Sequence, residues 1–173
     1  MERIKPLNKL EQRFLSLSYK HKLSHLSSGL TALRLIDHIF LVKRPDEPFI
    51  LDNGHAGLAL YVVMEKNGLG DAEDMLEKQG IHPDRMADPR VNCSTGSLGQ
   101  GLAIAVGMAL ADKTKNVYVL TSDGAMAEGS NWEALRIAGE LRLENLRVTV
   151  NANGTSALGR TDPDLLDTRM QMF

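Results

Sequence analysis

The segment VYVLTSDGAMAEGSNWEALRIAG, residues 117–139, sets strand-forming apolar residues directly against Ser122-Asp123-Gly124 and then opens into a helical pattern. LRVTVNANG, residues 146–154, is a second strand of the same kind, again ending in polar residues and a glycine. Strand, helix and strand joined by short loops make a βαβ unit, whose strands run parallel. A carboxylate at the mouth of a buried strand is costly to dehydrate, so Asp123 reads as a helix cap, a solvated turn residue or a cation ligand. In open parallel sheets ligands bind beyond the carboxyl ends of the strands, where Asp123 and Asn153 both fall. Neighbouring strands would bring these two oxygen donors together although 30 positions separate them. Magnesium commonly takes one or two protein oxygens and leaves its other positions to water and phosphate, and this pair supplies such a half-shell. Gly124 would let a phosphate approach the backbone, and the N-terminus of the following helix favours negative charge.

Outward from this unit, the sequence reads as one α/β domain over 1–173: a parallel sheet with helices on both faces, a βαβ core at about 116–153 and N-terminal helices within 7–42. Residues 7–20 and 28–42 are amphipathic, with Leu30, Leu33, Ile36 and Phe40 at three- and four-residue spacings in the second. PFILDNGHA is a short strand between turn residues, followed by a helix from Gly57 to Lys66 and another in DAEDMLEKQG. The long loop IHPDRMADPRVNCSTG comes next, a length that in compact domains often marks function. A helix expected from Ser97 carries Gly99, Ala103, Gly107 and Ala111 at four-residue spacing. Tight internal packing is the first reading of that bare stripe and an interface between chains the second. With two strong strands, a short one near residue 50 and a fourth candidate near Val91, the sheet looks incomplete, and DPDLLDTRMQMF starts one more helix.

Bulk composition excludes several classes. A net charge of -2 leaves no nucleic-acid footprint, and 5% aromatic residues argue against a base- or sugar-stacking surface. No apolar run approaches the roughly 20 residues of a membrane span. The single cysteine, Cys93, rules out an internal disulfide framework, and the N-terminus has no apolar signal core, so a reducing cytoplasm is expected.

The chain carries, in this order, Thr95-Gly96-Ser97-Leu98-Gly99-Gln100-Gly101, Ser122-Asp123-Gly124, Glu128-Gly129, Trp132-Glu133-Ala134 and Asn153-Gly154. In that order and at that spacing these segments resemble those of the transketolases among the thiamine diphosphate enzymes. Upstream, DNGHA at 52–56 is similar to the family's SNGHA, IHPD to its GHPE, and KLSHLSSG to the surroundings of its SGHPG, so the resemblance covers about residues 15–160. It implies that Asp123, Asn153 and the backbone carbonyl of Thr155 bind Mg2+, or Ca2+ or Mn2+ in its place, and that Gly124 meets the diphosphate through its amide. By the same resemblance Gly96 and Leu98 lie against the rings of thiamine diphosphate, His55 reaches its diphosphate, His25 and His82 face the sugar, and Glu128 belongs to an interface coupling two active sites. An imidazole at such a position holds or moves protons near neutral pH.

Read without the resemblance, isolated loop histidines are solvated, which is the reading kept for His21 and His38. Glu128 would favour its helix through the dipole, Cys93 would be a small apolar filler or a solvent-facing residue, and Trp132 a packing anchor. Three departures from the family stand out. SDG replaces GDG, the residues flanking His25 lack the family's glycine and proline, and NANG replaces the charged DNG. Full transketolases add a pyrimidine-binding domain whose glutamate activates the cofactor, and no segment here resembles it. The resemblance therefore implies a shortened, split enzyme. In it a cofactor-binding subunit joins a separately encoded pyrimidine-domain subunit, forming a hetero-oligomer or dimer, and the complex transfers a two-carbon ketol unit between sugars or sugar phosphates. A component of a 2-oxo acid dehydrogenase or synthase, and a non-catalytic cofactor-binding module, remain the alternatives.

Overall fold

The structure is a computed structural model, and it describes residues 6–156 and 159–173. Helix α1 (Lys9–Lys20) opens with a reciprocal cap: Asn8 accepts from the Glu11 amide while Glu11 accepts from the Asn8 amide. Helix α2 (Leu26–Val42) crosses it where Gly29 lies beneath the Phe14 ring, a contact that leaves no room for a Cβ. Strand β1 (Phe49–Leu51), α3 (Gly57–Lys66) and α4 (Ala72–Gln79) follow, then α5 (Gly101–Ala111), β2 (Val117–Ser122), α6 (Gly129–Glu140) and β3 (Leu146–Asn151). A two-residue antiparallel ribbon, β4 (Thr155–Ser156) with β5 (Gly159–Arg160), leads into α7 (Pro163–Met170).

The main sheet has the order β1-β2-β3, all parallel, with Leu51 beside Leu120 and Ser122 beside Asn151. The strand side chains alternate between two cores, as burial on both faces requires. Phe49, Leu51 and Leu120 face the core built by α1–α4, whereas Ile50, Val117 and Val119 face the core of α5 and α6. Residues 57–64 of α3 are all buried, which fits a helix that is apolar on every side.

The fold class expected from the sequence, with helices on both sheet faces, is what the chain adopts. Three local expectations are corrected. Helix α5 starts at Gly101 rather than Ser97, because Gly99 adopts φ +83° in the preceding turn, where a Cβ would lie 2.5 Å from the Ser130 hydroxyl. Val91 is buried but lies in a bend, not a strand; the neighbouring Asn92 covers the β1 edge by accepting from the Phe49 amide. The bare stripe of α5 is not packed internally. Ala103, Gly107 and Ala111 are exposed together with Ile104 and Leu110, at 37% and 48% exposure. Beyond β3 no further strand pairs among the described residues, and most of that strand is only half buried.

Candidate functional site

The carboxyl ends of β1 and β2 and the turn after β3 open onto one cleft of about 380 Å³. It is lined by His25 and His55, by Gly96 and Leu98, by Asp123 and Gly124, and by Asn153 and Thr155, with serines 27, 28, 122 and 156 between them. Eight of the ten residues singled out from the sequence thus share one wall. The other two lie outside its lining. His82 stands behind it, its ring 3.1 Å from where a Cβ on Gly96 would be. Glu128 is the exposed N-cap residue of α6, makes no side-chain cap, and packs beside Gly99.

Asp123 is 3% exposed and its two oxygens have different surroundings. Oδ1 accepts one hydrogen bond, from the Gly124 amide at 3.0 Å. Oδ2 accepts three: from the amides of Gly154 and Thr155 at 2.8 and 3.1 Å, and from the Thr161 hydroxyl at 2.7 Å. The Asn153 side-chain oxygen also accepts from the Thr155 amide, at 3.1 Å, so the Asp123 and Asn153 oxygens flank one nitrogen. The sequence anticipated that juxtaposition. It did not anticipate that half of the carboxylate would be used to hold the loop that carries Asn153.

His25 and His55 approach with ring centroids 5.0 Å apart. His25 sits at φ +62°, a left-handed conformation at the start of α2 that histidine adopts more readily than bulkier residues do. Burial, and then the neighbouring imidazoles of His25 and His82, push the His55 pKa below the usual histidine value, so that ring favours its neutral form. Gly54 makes the approach of this segment to the Thr95–Gly96 backbone feasible: a Cβ there would stand 2.7 Å from the Thr95 carbonyl. The Thr95 hydroxyl donates to the Leu51 carbonyl at 2.6 Å and locks the two segments together.

Sequence reasoning missed Asp52, which follows β1 as Asp123 follows β2. It is completely buried, and its carboxylate accepts from the Gly101 amide at the start of α5 (2.8 Å), the Thr121 hydroxyl (2.7 Å) and the Asn131 amide nitrogen (3.1 Å). The available signal was its position: an acidic residue directly after an apolar strand, for the reason already applied to Asp123. Asn53 beside it is also fully buried, and among the described residues neither polar atom of its side chain has a hydrogen-bond partner. Of the residues given a bland reading, Trp132 does act as an anchor, donating to the Met126 carbonyl at 2.8 Å and touching Phe173. His38 is exposed and Cys93 half buried, as expected. His21 is corrected. It is half buried rather than solvated, with Nε2 2.6 Å from a Glu73 oxygen that also meets Lys20.

The donor set suits a hard divalent cation and a diphosphate. All its ligand candidates are oxygens, and Asp123 Oδ1 retains an unused lone-pair position. A Cβ built on Gly124 would stand 3.6 Å from Ser156, so small residues border Gly124. No helix among the described residues is long and apolar enough to cross a membrane.

Residues 42–173 match the family model described as transketolase, thiamine diphosphate binding domain. The chain is 32% identical to a protein of Phocaeicola vulgatus named as one of the subunits of an apulose-4-phosphate transketolase, over 89% of this chain and 62% of that one. It is 35% identical to the transketolase of Pongo abelii, over 74% of this chain and 22% of that one. Among solved structures, a transketolase from Leishmania mexicana superposes with a TM-score of 0.60 at 30% identity, covering 72% of this chain and 22% of that one. The chain therefore spans less than two thirds of each of these relatives.

Proposed function

Because the chain belongs to the transketolase family, in its thiamine diphosphate-binding domain, we propose that it is the thiamine diphosphate- and Mg2+-binding subunit of a split transketolase-like enzyme. That enzyme transfers a two-carbon ketol unit between sugars or sugar phosphates, and a separate pyrimidine-domain subunit completes it. The observation that carries this reading is the cleft in which Asp123 and Asn153 flank one amide beside Gly124, His25 and His55. The name of the Phocaeicola protein, which makes it one subunit of a transketolase, supports the division between two chains. The exposed apolar side of α5 supports assembly, because a helix of that composition is ordinarily covered. A reducing cytoplasm suits the unpaired Cys93.

In this reading Asp123 and Asn153 hold the cation with the Thr155 carbonyl, and the Gly124 amide and His55 hold the diphosphate. Gly96 and Leu98 form the wall against the rings. Thiamine diphosphate, when bound, supplies the electron sink for breaking and making the carbon–carbon bond. The protein's part is placement and proton handling. His55, kept neutral by burial, accepts a hydrogen bond or a proton without first losing one. His25 lines the cleft and serves the sugar hydroxyls, and His82, behind Gly96, supports the wall rather than lining it. Glu128 is exposed beside Gly99 and, in this reading, meets the partner rather than the substrate.

Calorimetric titration of thiamine diphosphate with Mg2+, on the chain alone and mixed with the pyrimidine-domain subunit, tests the reading. Binding that Asp123→Ala and Asn153→Ala each abolish is expected. Absence of binding in both preparations, or binding that neither substitution weakens, would overturn it.

A further inference from the structure

Asp123 borders two hollows. One is the cleft that also holds Gly124 and Asn153; the other, of about 200 Å³, lies between Asp123, Trp132, Thr161 and Asp162. Among the described residues Oδ1 is engaged only by Gly124, which borders the cleft. Oδ2 is engaged by the amides of Gly154 and Thr155, the latter lining the cleft, and by Thr161, which borders the second hollow and contacts Asp123 from 38 residues away in sequence.

Two oxygens of a carboxylate offer about four lone-pair positions. With three donors on Oδ2, that oxygen has no capacity left for a cation, whereas Oδ1 has. Thr161 is itself firmly placed. Its amide donates to the Gly154 carbonyl at 3.1 Å, β5 pairs just before it, and Asp162 directly after it caps α7 by accepting from the Asp164 and Leu165 amides. The hydroxyl thus joins the capped start of α7 to the carboxylate.

We propose that Thr161 is a positioning residue for the divalent cation: anchored between β5 and α7, its hydroxyl joins the two backbone amides on Oδ2 and fixes the rotamer of Asp123, leaving Oδ1 as the oxygen that meets the cation. The inference rests on the functional reading above. Hydrogen-bond partners that orient a metal ligand are typically worth 10–100-fold in metal affinity. Thr161→Val keeps shape and β-branching but removes the donor; Thr161→Ser restores it.

The test is Mn2+ binding to the full chain, followed by paramagnetic resonance of the free ion, with thiamine diphosphate affinity measured separately and thermal unfolding recorded for each variant. Thr161→Val is expected to weaken Mn2+ binding at least about tenfold, with Thr161→Ser near wild type and all three chains folded. Equal Mn2+ affinity in Thr161→Val and wild type overturns the inference. So does a Thr161→Ser variant as weak as Thr161→Val, which would assign the loss to packing. Mn2+ binding without any thiamine diphosphate binding, alone or with the partner, overturns the functional reading and leaves the Thr161 comparison decisive for the cation. A wild-type chain that binds no Mn2+ overturns both.

Discussion

Replacing Asp52 tests whether the floor of the cleft depends on one carboxylate. In Asp52→Ala, three donors from three separate elements lose their acceptor at once: the Gly101 amide, the Thr121 hydroxyl and the Asn131 amide nitrogen. The site is fully buried, so leaving each such donor unpaired costs about 1–3 kcal/mol. The hydroxyl can turn and recover part of its share, so the expected loss is about 3–5 kcal/mol, in the range seen when a buried polar network is broken. Asp52→Asn is the finer probe. Its side-chain oxygen can still accept from Gly101, and Thr121 can rotate to accept from the new amide. Asn131 cannot adapt, because its nitrogen also donates to the Ala125 carbonyl at 2.9 Å, and flipping the amide would set oxygen against oxygen there. One donor then faces another, for about 1–2 kcal/mol. In a chain of this size 1 kcal/mol lowers the melting temperature by about 2–4 °C. Calorimetry or urea unfolding should therefore rank wild type, Asp52→Asn and Asp52→Ala in that order, with a drop of roughly 10 °C for alanine. An alanine variant within about 1 kcal/mol of wild type would refute the assignment of Asp52 as the tie between β1, β2, α5 and α6.

Gly54→Ala should cost about 1–3 kcal/mol and weaken thiamine diphosphate binding, since the added Cβ would stand 2.7 Å from the Thr95 carbonyl and displace the Gly96–Leu98 wall; unchanged unfolding and binding curves would remove the close approach from the account. His55 gives stability a specific pH dependence. Its folded-state pKa is depressed by burial, so above about pH 6.5 it is neutral in both states and contributes nothing to the pH dependence. As pH falls through about 6.5 the unfolded chain takes up the proton first, and stability drops until the depressed folded value is reached. Urea unfolding at pH 7.5 and 5.5 should show a smaller acid-induced loss for His55→Gln than for wild type, and equal losses in the two proteins would contradict the burial argument.

The layout of the site was legible where the physics is local. An apolar strand ending at Asp123 and another ending just before Asn153 require only pattern and parallel pairing, and both side chains accept from one amide, that of Thr155. Asp52 was not legible, because its meaning depends on donors 49, 69 and 79 residues away. The start of α5 was misplaced because small residues continue the helical pattern through Gly99, whose positive φ can be read only from the neighbouring Ser130 and Glu128. The stripe of α5 illustrates a different limit. Its composition says that something covers it, yet cannot say whether the cover belongs to the same core. His21 was misjudged because its partner, Glu73, comes from a helix 52 residues on.

Strand β3 has a practical consequence. Among the described residues no strand pairs with its outer flank, and such a flank offers a row of amides and carbonyls to any extended peptide that meets it; natural proteins blunt such flanks with charge. In the strand LRVTVN the sole charge is Arg147, whose side chain is engaged with Asn116. The isolated chain therefore has a thin defence against self-association. Its solubility should depend on concentration and on whatever occupies that flank, so co-expression with a covering partner is the sounder route to material for the measurements above.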